Sequence, residues 1–310
     1  MNSVLIVAGL VLLIFGGNWL LKAAVALSLK LDVPKIVIGM TVVSFATSAP
    51  ELIVSINAAL SGASDLALGN VIGSNIANLG LVLGITLLFG TMQVQKSFYT
   101  TDWPVMMVAS IVLYLFLLGD RVIVQYEGII LFSLLVVFLI YLLRFQKTAI
   151  IDELPEDDVP LQGYKIIFFL AIGGVALWGG SELLIKGATS LAVEFGVSER
   201  VIGVTVVSIG TSIPELAASI IAVIKKEKAI SLGNLIGSNV FNILAVLGIT
   251  SIITPIAVTD EGLMTNDIFW MLGISFLLLP LVFFPKGYRL NWKDGIVLLT
   301  AYAIFIYLTI

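Results

Sequence analysis

Long runs of apolar residues, each about as long as a helix needs to cross a bilayer's hydrocarbon core, alternate along this chain with short stretches holding most of the charge. Ten such segments can be read, at roughly 3–21, 36–60, 67–91, 103–119, 126–143, 166–185, 201–224, 229–254, 268–285 and 295–310. The pattern predicts an all-α polytopic membrane protein with ten transmembrane helices. The opening stretch, MNSVLIVAGLVLLIFGGNWLL, has the apolar core of a signal peptide but no basic leading region and no convincing cleavage site. It reads as a retained first span.

Charge adds an orientation. Cytoplasmic loops of membrane proteins are enriched in Lys and Arg. With the N-terminus outside, thirteen of the sixteen basic residues fall in cytoplasmic loops, and only Arg121, Lys186 and Arg200 fall outside. The expectation is therefore a multi-pass protein of the cell membrane with both termini outside. Composition narrows the chemistry: 59% of the 310 residues are hydrophobic, 12% are charged, and Cys and His are absent. Disulfides, thiolate chemistry and imidazole ligands are excluded, so a bound metal must be held by oxygen. The net charge of −4 leaves no basic patch for nucleic acid. Membrane lipid is the expected surrounding, and neither a cofactor nor an obligate protein partner is indicated.

The chain also repeats itself. Residues 39–86 align without a gap on 203–250, with 26 identities in 48 positions. That is far beyond shared apolar composition and implies duplication. Two motifs recur: SFATSAPELIVS (Ser44 to Ser55) against SIGTSIPELAAS (Ser208 to Ser219), and GNVIGSNIAN (Gly69 to Asn78) against GNLIGSNVFN (Gly233 to Asn242). The organisation is a first repeat at 1–144, a linker at 145–165 and a second repeat at 166–310. Five spans per repeat, an odd number, give the two halves opposite polarity, the inverted-topology plan of secondary transporters whose ions bind where the repeats meet. The linker holds two prolines and five acids, Asp152, Glu153, Glu156, Asp157 and Asp158. It reads as a solvated cytoplasmic hinge, with a regulatory cation site as the sharper alternative.

A carboxylate at the bilayer centre costs about 2.5–3.5 kcal/mol, which marks Glu51 and Glu215 as functional candidates. Pro50 and Pro214 precede them. A proline inside a helix removes a backbone donor, so the carbonyls of Ala46 and Gly210 lose their usual partners and broken helices are expected at the repeat interface. Thr47, Ser48, Thr211 and Ser212 add hydroxyl oxygen within one turn of the acids. In the second motif, Gly69, Gly73, Gly233 and Gly237 suit close helix packing. Ser74 and Asn78 share a helix face, as do Ser238 and Asn242, and these polar groups suit an ion. Asn75 and Asn239 point elsewhere and are expected to cap broken backbone. On the sixth span, Glu182 and Lys186 are spaced to pair with each other.

Two carboxylates among neutral oxygens balance one divalent ion or several monovalent ones. That suggests exchange of Ca2+ against Na+, although Mg2+, Mn2+ or protons satisfy the same count. A channel with a ring of acids is a competing class. An enzyme is not expected, since His-based metalloprotease chemistry is impossible and no paired intramembrane Asp motif is present.

With these motifs the chain resembles the cation/calcium exchanger superfamily, and within it the prokaryotic type of the sodium/calcium exchanger family. GMTVVSFATSAPEL with GNVIGSNIAN, and GVTVVSIGTSIPEL with GNLIGSNVFN, carry the likeness. The resemblance implies an antiporter in which inward Na+ drives Ca2+ out by alternating access of one central site. Glu51 and Glu215 would be ligands for both ions, and Thr47 and Thr211 would give backbone carbonyls to Ca2+. Ser48, Ser212, Ser74 and Ser238 would help form Na+ sites, with Asn78 and Asn242 lining the centre. The family's backbone ligand one turn before each Thr falls on Ser44 and Ser208, whose hydroxyls offer an extra ligand. Proton-coupled relatives usually carry an acid where this chain has Asn78 and Asn242, which favours Na+ over H+. Asn242 stands where K+-dependent relatives have Asp. The family's first and sixth spans slide during transport; here they carry FGGNWLLK and WGGSELLIK, whose paired glycines suit sliding.

Overall fold

The structure, a computed structural model, describes residues 2–145, 161–194, 208–284 and 287–309. Eleven helices organise it: α1 (Asn2–Leu31), α2 (Lys35–Thr47), α3 (Ala49–Leu60), α4 (Ser64–Phe89), α5 (Phe98–Leu117), α6 (Gln125–Phe145), α7 (Gly163–Glu194), α8 (Ile213–Ile224), α9 (Lys228–Ile253), α10 (Leu263–Phe283) and α11 (Trp292–Thr309). Among the described residues, eight are long and apolar enough to cross a membrane, and α2 with α3 forms a ninth span bent by 45°. Of the expected segment 201–224, a helical turn at Ser208–Gly210 and α8 are described. Most of the acidic linker and its possible cation site lie outside the described residues.

Charge did not stop the helices where hydrophobicity fades. α1 runs ten residues beyond the apolar segment, through Lys22 and Lys30, and ends where Asp32 takes a left-handed φ of 53° ahead of Pro34. α7 likewise extends beyond 166–185 at both ends. Glu182 and Lys186 are exposed on α7 and do not pair with each other or with another of the described residues; an i,i+4 pair in solvent is worth only about 0.3–0.5 kcal/mol, too little to hold two long side chains together.

In the most apolar 18 residues of α4 and α9, 78% and 83% of positions are buried, which puts these helices at the centre of the molecule, whereas in α1, α5, α6, α7, α10 and α11 the share is about a third and they lie around them. One apolar core packs α4 and α9 against α2, α5, α6, α10 and α11. A second, smaller core joins α1 to α2, α7 and α8. α1 and α7 run antiparallel against each other through glycines spaced by seven. A Cβ at Gly9 would lie 2.7 Å from the Gly180 carbonyl oxygen, and one at Gly16 would lie 3.0 Å from that of Gly173. Gly179 and Gly17, the other members of the two GG pairs, are not at this contact: Gly179 has nothing within 4 Å of its would-be Cβ among the described residues, and Gly17 faces Ile221.

The all-helical expectation is modified by four two-residue strands in the connections. β1 (Met92–Gln93) pairs with β4 (Arg289–Leu290), and β2 (Val122–Ile123) pairs with β3 (Ile256–Ala257), both antiparallel. Each pairing joins one half of the chain to the other. Val94 N donates to Tyr288 O and Val258 N to Arg121 O, both at 2.8 Å, so the extension of each ladder is reciprocal as well. These ladders give backbone groups of the interhelical segments the partners that burial demands. The start of α2 is tied to the turn before α9 by Lys35 and Glu227, 2.8 Å apart and largely buried.

Candidate functional site

Both glutamates sit in the first turn of a helix that follows a break. Ser48 has φ −89° and ψ 4°, and Ser212 has φ −88° and ψ 4°, so the two breaks share one geometry. Each proline stands in the first turn of α3 or α8, where its missing N–H is tolerated. The carbonyl freed at Gly210 accepts the Ser181 hydroxyl of α7 at 2.8 Å. The position equivalent to Ser181 in the first half is Gly17, which has no such donor.

α3 and α8 thus carry Glu51 and Glu215 beside α4 and α9, which carry the second motif. Glu51, Glu215, Ser44, Thr47, Ser48, Ser74, Asn78, Ser212, Ser238 and Asn242 are all buried. Thr211 is half-buried, and Ser208 is described through its backbone alone.

Hydrogen bonds between the halves hold the set together. Ser48 Oγ donates to Glu215 Oε1 at 3.3 Å, and Ser238 Oγ to the same oxygen at 3.4 Å. Thr47 Oγ1 lies 3.4 Å from Ser238 Oγ, and Ser74 Oγ lies 3.5 Å from Thr211 Oγ1, a reciprocal pair. Among the described residues, both carboxylate oxygens of Glu51, Oε2 of Glu215, Oδ1 of Asn78, Oδ1 of Asn242 and Oγ of Ser212 are buried without a hydrogen-bond partner. Buried polar atoms are rarely left so, which makes this concentration of acceptors the chemical signature of the region.

Three features depart from the motif reading. The Ser44 hydroxyl directs its hydrogen towards Gly39 O at 2.8 Å and Asn234 O at 2.9 Å, which leaves its lone pairs for an ion, while its backbone carbonyl accepts from Ser48 N at 2.9 Å. A π-helical turn at Gly39–Val43 brings the Gly39 carbonyl within reach of that hydroxyl five residues on. Asn75 and Asn239 do not cap broken backbone: they meet each other where α4 and α9 cross. Asn70 and Asn234 also belong to the surroundings of the site. Asn70 Nδ2 donates to Ser55 Oγ at 3.0 Å, Asn234 Nδ2 to Ser219 Oγ at 3.4 Å, and Asn234 Oδ1 accepts from Thr47 Oγ1 at 3.2 Å. Identity of Ser55 with Ser219 and of Asn70 with Asn234 across the repeat was the available signal for them.

The glycines of the second motif do pack closely in the second half. A Cβ at Gly233 would collide with the Ile36 carbonyl and one at Gly237 with Ser44 Oγ and the Met40 backbone. By the repeat, the partners of Gly69 and Gly73 would fall at 200–208, almost all outside the described residues.

The family described as sodium/calcium exchanger protein matches residues 1–144 and 165–310. CaxA of Alkalimonas amylolytica is 37% identical over 313 residues, covering 99% of this chain and 98% of its own. The sodium/calcium exchanger MaX1 of Methanosarcina acetivorans is 29% identical over 347 residues, covering 98% and 97%. The solved structure of the sodium-calcium exchanger NCX_Mj, soaked with zero Na+ and Ca2+, superposes with a TM-score of 0.83 at 27% identity, covering 99% of this chain and 98% of that one. This multi-pass membrane chain therefore belongs to the sodium/calcium exchanger protein family.

Proposed function

We propose that the chain is a secondary active antiporter exchanging Na+ for Ca2+ across the cell membrane by alternating access of one central site. The observation that carries this reading is the group of five unpartnered, buried acceptor oxygens on Glu51, Glu215, Asn78 and Asn242. Hard cations take oxygen ligands, and an uncompensated carboxylate at membrane depth is otherwise a pure cost. Glu51 and Glu215 are the central ligands for both ions. Thr47, Thr211, Ser44 and Ser208 offer backbone carbonyls, and Ser48, Ser212, Ser74 and Ser238 flank the centre as Na+ ligands.

Exchange is electrogenic if more than two Na+ move per Ca2+, and it is independent of K+, because Asn242 adds no third acid. The halves are inverted five-span repeats, with both termini outside and the linker in the cytoplasm. Reciprocal strand pairing and the antiparallel glycine contact of α1 with α7 support that arrangement. The names of MaX1 and NCX_Mj support the choice of ions.

Reconstituted vesicles test it. An outward Na+ gradient should drive uptake of radiolabelled Ca2+, faster when an inside-positive potential is imposed, because net positive charge leaves with the Na+, and unchanged by K+. Uptake that follows a pH gradient and ignores Na+ would replace Na+ coupling by proton coupling, and downhill Ca2+ flux with no counterflow would replace the antiporter by a channel.

A further inference from the structure

Asn75 and Asn239 are absent from the proposed ligand set, yet both are almost completely buried at the crossing of α4 and α9. Asn75 Nδ2 donates to the backbone carbonyl of Asn239 at 3.2 Å, and Asn239 Nδ2 donates to that of Asn75 at 3.1 Å. A planar amide whose nitrogen is anchored in this way must turn its oxygen to the other side. There Asn75 Oδ1 accepts from Asn242 Nδ2 at 3.1 Å, and Asn239 Oδ1 accepts from Asn78 Nδ2 at 3.2 Å. The nitrogens of Asn78 and Asn242 are thereby spoken for, and it is their oxygens that are left without a partner.

We propose that Asn75 and Asn239 are positioning residues that fix the amide orientation of Asn242 and Asn78, so that carbonyl oxygen rather than NH2 faces the transported cation. The inference rests on the central site proposed above. An asparagine amide has nearly the same shape in either flip, so packing alone cannot choose between them. A flipped amide would present donor hydrogens to a cation and repel it. Each half of the chain supplies the orienting amide for the other half's ligand, a dependence that duplicated sequence alone does not reveal. The Met271 sulfur, 3.8 Å from Asn75 Nδ2, is a weak second acceptor on the anchored side.

The test is a double-mutant cycle on Ca2+ binding by the purified full-length protein, with Asn75→Ala and Asn242→Ala made singly and together. Groups that orient a metal ligand typically contribute about 10–100-fold to affinity, and a loss of that size is expected for Asn75→Ala. The double variant should bind no more weakly than Asn242→Ala alone, because Asn75 acts only through Asn242. Multiplying losses would overturn the proposal, as would an Asn75→Ala protein of unchanged affinity. The mirror cycle, Asn239→Ala with Asn78→Ala, should behave the same way.

Ion-free thermal unfolding of each variant separates affinity from folding, and Asn75→Ser serves where the alanine variant is lost. Failure of both Asn75 variants to fold would assign the residue to the helix crossing alone and overturn the proposal. Glu51→Gln and Glu215→Gln in the same assay separate the two levels. Lost binding in these with an additive asparagine cycle would overturn only the orienting role, whereas intact binding in both would overturn the central site.

Discussion

The two TSxPEL motifs are nearly identical in sequence, share one backbone break, and end in different surroundings. Glu215 has one oxygen held by two hydroxyls, Ser48 from the first half and Ser238 from its own. Glu51 has neither oxygen held among the described residues, and Ser212, the counterpart of Ser48, has a buried hydroxyl with no partner. The same inequality appears in the backbone, where Ser181 covers the carbonyl freed by Pro214 while the first half has Gly17 in its place. Duplication supplied two equal carboxylates, and among the described residues the fold anchors one by side-chain hydroxyls and leaves the other without them.

Neutralising each acid tests that inequality most severely. Glu51→Gln and Glu215→Gln should each weaken Ca2+ binding by about 2–5 kcal/mol, the range for removing one partner of a buried charge pair. Thermal unfolding without ions should separate them: Glu51→Gln should stabilise the protein more, because it removes the carboxylate that has no side-chain donor among the described residues. Equal stabilisation by the two substitutions would show that the surroundings of the acids are equivalent after all.

The contact between α1 and α7 offers the opposite case, one where the halves meet as equals. Gly16 and Gly180 are equivalent by the repeat, and a Cβ on either would press against backbone of the other helix at 2.8–3.0 Å. Gly16→Ala and Gly180→Ala should therefore cost similar amounts, about 1–3 kcal/mol each, as overpacking does. Gly179→Ala meets nothing within 4 Å among the described residues and should be neutral, or stabilise by up to about 1 kcal/mol through helix propensity. Unfolding temperatures of the three variants decide it, and a Gly179→Ala penalty as large as that of Gly180→Ala would misplace the interface.

Much of this was legible in the sequence because repetition substitutes for contact information. Apolar length located nine spans, and Thr-Ser-x-Pro-Glu at two places located both breaks, since proline's missing donor acts locally. The pattern of FGGNWLLK and WGGSELLIK treats both glycines of each pair alike, whereas the interface uses Gly9, Gly16, Gly173 and Gly180, in register with the repeat. Which of two adjacent glycines faces a neighbour depends on the helix crossing, which no local pattern encodes. Asn75 escaped for a related reason. It lies about 100° round the helix from the Ser74 and Asn78 face, and its partner is supplied by α9, 164 residues away. The π-helical turns at Asn78–Val82 and Asn242–Leu247 start on the very residues expected to line the site, and they arise from packing that sequence periodicity smooths over.

The smallest expected difference is between Ser48 and Ser212. Hydrogen bonds to charged groups contribute about 1.5–3 kcal/mol, and at 3.3 Å the Ser48 bond to Glu215 belongs at the lower end. Ser48→Ala should then destabilise the ion-free protein by about 1.5 kcal/mol. Ser212→Ala should have almost no effect there, because among the described residues its hydroxyl has no bond to lose. In saturating Na+ the order should change if both hydroxyls are ligands, since Ser212 then gains a partner and Ser48 exchanges one for another. Thermal unfolding of both variants with and without Na+ measures the four values. A Ser212→Ala penalty that appears only with Na+ would tie this unpartnered hydroxyl to the ion, and a penalty independent of Na+ would assign it to packing.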